Sequence, residues 1–186
     1  MNFNMNEWNQ TEAKTGGEFK ELPAGGYVCA IIDADAVTSR KGTPQLKLSI
    51  DIDEGEYHDC FMDEYQRKQK TNKDAVWPCV FYQGVSGKSL AFFKGLLEMI
   101  RQSNPGYVPA PDASGNFNEK TLIGKRIGFV FREEEREYNG KIYTNARPRF
   151  AKTVEDIQNG NFVVPDKLTV EKHAFGSTAN DEEIPF

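Results

Sequence analysis

Three groups of residues in this chain have types and spacings that chemistry can use. The first is two pairs of carboxylates, Asp33 with Asp35 and Asp51 with Asp53. Residues two apart on a strand share a face, so each pair sets two acids side by side, as metal-assisted phosphodiester cleavage requires. Alternating acids are also the ordinary wet face of a strand, and no lysine or histidine accompanies them at a familiar catalytic spacing. The second group is "QGVSGKSL", which offers Gly-Lys-Ser ahead of a helix. A phosphate-cradling loop would need glycine five positions before Gly87, where Tyr82 stands. Helix initiation near Ser86 or Ser89 is the better account, and nucleotide hydrolysis is rejected. The third group mixes cations with aromatic rings, the combination that holds unpaired nucleic acid by phosphate contact and base stacking.

That third group falls in three places. The segment after residue 38 carries Arg40 and Lys41; the segment 65–82 carries Arg67, Lys68, Lys70 and Lys73 among Tyr65, Trp77 and Tyr82. The run 132–149 carries Arg132, Arg136, Tyr138, Lys141, Tyr143, Arg147 and Arg149. On its return strand Tyr143, Asn145, Arg147 and Arg149 fall on one face by parity, with no acid among them. The opposing reading is a solvated face whose arginines pair with Glu133–Glu135 across the hairpin. For each basic residue of the 65–82 segment alone, simple solubility is the better explanation, and Trp77 and Phe81 equally suit packing against a helix.

The elements that must position these residues follow from pattern. "GGYVCAIIDADAV" predicts a first strand, and "QLKLSIDID" a second, with Leu46, Leu48, Ile50 and Ile52 inward and Lys47, Ser49, Asp51 and Asp53 outward. "YHDCFMDEY" predicts a third strand, followed by the polar loop "QRKQKTNKDAVWP" and a short strand at "CVFYQGV". "KSLAFFKGLLEMIRQSNPG" predicts a helix, with Leu90, Phe93, Leu97 and Ile100 on one face and Asn104-Pro105-Gly106 as its stop. Two runs joined at Asn139-Gly140 predict a hairpin with a type I′ turn. Ile127, Phe129 and Phe131 point inward, but the same parity then meets Glu133 and Glu135, so the strand leaves the core near Arg132. The expected fold is mainly β: an OB-fold-like five-stranded barrel with one helix between strands 3 and 4. The expected organisation is an N-terminal arm at 1–22, the domain at 23–152, an extension at 153–175 and an acidic tail at 176–186.

Composition sets limits. The 186 residues are 38% hydrophobic and 27% charged, enough for one core with arms. No apolar stretch reaches 18 residues, and the opening "MNFNMNEWNQTEAKTGG" lacks the basic and apolar regions of a secretion signal. Cys29, Cys60 and Cys79, with only His58 and His173 to assist, predict reduced thiols rather than a zinc site or disulfides. A cytoplasmic location and no membrane partner follow as expectations, as does the lack of any cofactor or metal. The net charge is −5, and −2 without Asp181, Glu182 and Glu183, so a nucleic-acid surface must be local and must use stacking. Self-association is left open.

The end, "DEEIPF", sets three acids before Ile184, Pro185 and Phe186. An apolar tip behind acids suits a basic-rimmed pocket on another protein. This terminus resembles the acidic tip of bacterial single-stranded-DNA-binding proteins. The stretches "LPAGGYVCAI", "SRKGTPQLKLSIDI", "VFYQGVSGKSLAFFKGLLEMI", "SNPG", "REEEREYNGKIY" and "NGNFVVP" resemble, in order, those of phage and prophage single-stranded-DNA-binding proteins. The resemblance implies a non-enzymatic OB-fold that coats single strands in phage replication and recombination. It also implies that Asp181, Glu182, Glu183, Ile184, Pro185 and Phe186 dock replication or recombination proteins. Two other readings stand beside it: an interaction protein that mimics the host tail without binding DNA, and, more distantly, a metal-dependent nuclease.

Overall fold

The computed structural model describes Met5 and residues 21–171. The chain builds β1 (Gly25–Thr38), β2 (Pro44–Ile52), α1 (Cys60–Gln69), β3 (Val80–Gly84), α2 (Leu90–Ser103), β4 (Arg126–Tyr138), β5 (Lys141–Lys152) and α3 (Val154–Gln158). The strands form one antiparallel sheet in the order β3-β2-β1-β4-β5. The fold is mainly β, an open five-stranded sheet with a few helices.

The alternation of β2 is realised: Leu46, Leu48, Ile50 and Ile52 are all buried in the core. Its other face is not uniformly wet, because Ser49 and Asp51 are buried as well. The cover over them corrects the expected third strand. "YHDCFMDEY" is no strand; its second half opens α1, which runs on through Arg67 and Lys68 where a loop was expected. Met, Glu, Gln, Arg and Lys are good helix formers, and Tyr57, Cys60, Phe61 and Tyr65 recur at the spacing of one helix face. Local capping is poor: Asp59 takes the left-handed φ of 58° and its side chain caps nothing. The helix start is held instead from β2. Asp51 accepts from the backbone N–H of Ile52 at 2.8 Å, Phe61 at 3.0 Å and Met62 at 2.9 Å. The third strand is therefore Val80–Gly84, with α1 between it and β2.

Helix α2 does lie between β3 and β4, burying Leu96, Leu97 and Ile100, with Phe93 packed against the core. Leu90, expected on that face, is 47% exposed. Asn104 ends the helix by donating to the carbonyls of Ile100 and Arg126 and accepting from the Arg126 N–H, which ties α2 to the start of β4. On β4, Ile127, Phe129 and Phe131 are fully buried as expected. Beyond Arg132 the β4–β5 ribbon becomes progressively exposed, and it turns at Asn139 (φ 52°) and Gly140 (φ 71°), as the type I′ turn requires.

Residues 153–170 cover the outer face of β1 and β4. Thr153 caps α3 by accepting from the Asp156 N–H at 3.0 Å. The cover fits because the sheet offers glycine beneath it: a Cβ on Gly26 would strike the Phe162 ring, and one on Gly128 would strike Ile157 and lie 2.7 Å from the Thr153 carbonyl. Gly128→Ala is therefore expected to destabilise the fold by about 1–3 kcal/mol in denaturant melts, and Gly26→Ala by less, since a ring yields more easily than backbone.

Further on, Leu168 bridges β4 in parallel, donating to the Glu133 carbonyl and accepting from the Glu135 N–H. Glu135 binds Lys167 at 2.8 Å and the Val170 N–H, and these contacts hold its carboxyl below the usual range. A depressed carboxylate stabilises above its unfolded pKa and stops doing so as pH falls through its folded value. Acidification is thus expected to release residues 167–170, seen as movement of the Leu168 and Val170 amide resonances toward unfolded positions below the ordinary carboxylate pKa.

Candidate nucleic-acid interface

The two edge strands, β3 and β5, approach one another, and a cleft of about 430 Å³ lies at their seam. Each wall can be traced to register. On β3, Phe81 pairs with Leu48 and turns inward, so Tyr82, opposite Lys47, turns outward and is 44% exposed. Phe92 joins it from the first turn of α2, 42% exposed. On the other wall, Arg147 lies opposite Arg132, Asn145 opposite Glu134, and Tyr143 opposite Arg136. Directly opposed residues of an antiparallel pair share a face. Arg136, Arg147 and Glu134 line the cleft, and Tyr143, half exposed, continues their face along the ribbon.

Arg149 reaches the cleft by another route. Phe131 pairs with Pro148 and Val130 with Phe150, so a bulge leaves Arg149 as the extra residue of β5. The simple parity that grouped it with Arg147 does not hold there, yet both guanidinium groups line the same cleft.

The cations are only partly neutralised by the hairpin's own acids. Arg132 pairs with Glu134 at 2.7 Å, both largely buried. Glu135 pairs with Lys167 on the covering segment instead. Arg147 donates to the Pro78 carbonyl at 2.9 Å, which links β5 to the lead-in of β3. The Arg149 guanidinium lies 5.7 Å from the Phe150 ring, and burial, reinforced by the neighbouring Arg132, pulls its pKa below the ordinary value.

Other expected site residues lie elsewhere. A second cleft of about 460 Å³ flanks α1; Lys68, Glu64, Glu133 and Arg147 help line it, and Lys68 pairs with Glu64. Arg67 sits on α1, while Lys70 and Lys73 follow its end; Arg40 and Lys41 sit at the β1–β2 turn. None of these five, nor Tyr65 or Trp77, lines either cleft. Trp77 has a packing role: its ring is half-buried 5.3 Å from that of Tyr65, and its N–H donates to the Ile50 carbonyl at 2.9 Å. Tyr138 and Lys141 face each other at the exposed ribbon tip. The tail residues Asp181–Phe186 lie outside the described residues.

The paired carboxylates are engaged within the fold. Lys120 Nζ bonds Asp33 at 3.0 Å and Asp35 at 2.7 Å, Asp53 binds Arg126 at 2.6 Å, and Asp51 holds α1. Gly87–Ser89 forms a short 3-10 turn into α2, and neither Ser86 nor Ser89 caps by its side chain. Cys29, Cys60 and Cys79 are free thiols, and burial pushes Cys60 up to about 12. Among the described residues no helix is long and apolar enough to cross a membrane.

Phe92 was missed in the sequence although a signal existed. Phe92 and Phe93 are adjacent on a helix, about 100° apart, so a core that takes Phe93 leaves Phe92 to face elsewhere. No protein-family model matches the chain, and no curated protein does.

Proposed function

We propose that the protein binds single-stranded DNA without sequence preference, by a stacking-and-phosphate mechanism at the β3–β5 seam. The observation that carries this reading is the cleft itself, where Tyr82 and Phe92 stand across from Arg136, Arg147 and Arg149. Stacking tolerates any base and contributes roughly 1–3 kcal/mol per base, so two rings suffice for useful binding in a chain whose net charge is −5. Arginine contacts to phosphate would make binding salt-sensitive, with a log–log slope of about −0.7 per neutralised phosphate.

The same reading takes the five strands as a partly open barrel of the OB type, with its seam at the site. The order of strands, the helix between β3 and β4, and the Arg147–Pro78 bond across the seam support it. The resemblance noted in the sequence supports a role in phage or prophage replication and recombination, with Asp181–Phe186 recruiting partner proteins and the protein acting in the cytoplasm of the host cell.

The test is a titration against oligo-dT and against duplex, with and without magnesium, followed by fluorescence and gel mobility. Salt-sensitive binding to oligo-dT over duplex, without cleavage, is expected. Absence of binding favours the tail-mimic interaction protein, and magnesium-dependent cleavage favours the nuclease.

A further inference from the structure

Arg132 and Arg147 oppose each other on the β4–β5 ladder, and the bulge adds Arg149 two residues beyond Arg147. Each of the three has its Nε–H buried, and among the described residues none accepts from it. A buried donor without an acceptor is unfavourable, and more so when it belongs to a charged group. Arg132 donates from Nη2 to the Glu134 carboxylate. Arg147 uses Nη1 on the Pro78 carbonyl, which carries no full charge. The cluster sets three guanidinium groups beside Glu134; Arg147, Arg149 and Glu134 line the solvent-connected cleft, and Arg147 also lines the second cleft with Glu64 and Glu133.

We infer that this cluster is an oxyanion site for one phosphoryl group, whose oxygens accept from the Nε–H groups of Arg132, Arg147 and Arg149. A tetrahedral oxyanion spreads its acceptors in more than one plane, which suits guanidinium forks arriving from two strands and a bulge; a planar carboxylate does not. The inference rests on the single-strand reading and deepens it, since the bound group would be a backbone phosphodiester with Tyr82 and Phe92 nearby to receive bases. Inorganic phosphate carries the same acceptors and is the simplest probe.

The experiment follows the arginine Nε–Hε resonances of the full-length protein by NMR. Sodium phosphate is titrated against sodium chloride at equal ionic strength, and oligo-dT is added separately. Saturable shifts of the arginine resonances with phosphate, absent with chloride, are expected. Arg149→Gln should weaken phosphate binding roughly ten-fold or more, the loss of one charge-assisted bond. Because it removes one of three like charges, it should melt no lower than the parent in chloride. Arg149→Lys, which keeps the charge but has no Nε fork, is the second variant and should also lose phosphate binding. Equal shifts in chloride and phosphate would overturn the inference. So would oligo-dT binding that leaves these resonances unmoved, although the single-strand reading would then survive. Phosphate-specific shifts without oligo-dT binding would support the oxyanion site and sink the single-strand reading.

Discussion

Replacing Tyr82 and Phe92 together by alanine is expected to weaken oligo-dT binding by roughly thirty-fold or more and to leave folding nearly unchanged. The first half follows from stacking, at about 1–3 kcal/mol per base lost on alanine substitution, where ~1.4 kcal/mol is ten-fold in affinity. The second half follows from placement. Both rings are more than two-fifths exposed and neither belongs to the buried core, so the change in stability should stay within about 0.5 kcal/mol. The salt slope should not move, because no cation is removed. Fluorescence titration at several salt concentrations, with a parallel thermal melt, reads all three. Equal affinity in parent and variant would show that the strand passes elsewhere.

Asp51→Ala should have the largest effect on the fold. Asp51 is 2% exposed, and its carboxylate accepts three backbone N–H groups. Its loss leaves buried donors unsatisfied and removes the anion at the start of α1, together expected to cost about 2–4 kcal/mol. The damage should be local at first: α1 should loosen from β2 and expose the Trp77 ring, which packs against Tyr65 of that helix. A red shift of tryptophan emission, before global unfolding in denaturant, is the predicted signature. Asp51→Asn, which keeps an acceptor oxygen, should lie between parent and alanine variant.

That same residue marks where the sequence stopped being legible. The second strand could be read because its inward residues answer to one rule, alternation, and so could the hairpin, because Asn139-Gly140 is a local solution to a local problem. Helix α2 carries its own apolar face and its own stop at Asn104. Helix α1 is different. Its start is fixed by a carboxylate from β2, and the residue at its cap, Asp59, has a backbone conformation that no local pattern announces. With that anchor invisible, "YHDCFMDEY" reads as one more strand of a meander, and Asp51 reads as a wet acid.

The candidate site was legible in part for a related reason. Tyr82, Arg136, Arg147 and Arg149 could be picked out by type and parity, and the structure gathers all four at one cleft. Parity alone misassigns the route of Arg149, since a bulge costs nothing in sequence yet shifts every following residue by one. Nor can parity tell that Trp77 is committed to the Ile50 carbonyl, or that Arg40, Lys41, Lys70 and Lys73 sit away from the seam. Those placements depend on how the sheet curls, a property of the whole β3-β2-β1-β4-β5 order.

Ultraviolet crosslinking of the protein to oligo-dT, with the adducts mapped by mass spectrometry, asks most directly where a single strand lies. Adducts on Tyr82 or Phe92, with weaker ones on Tyr143 along the ribbon, are the predicted result. Adducts confined to α1 and the β1–β2 turn, with the seam unlabelled, would contradict it.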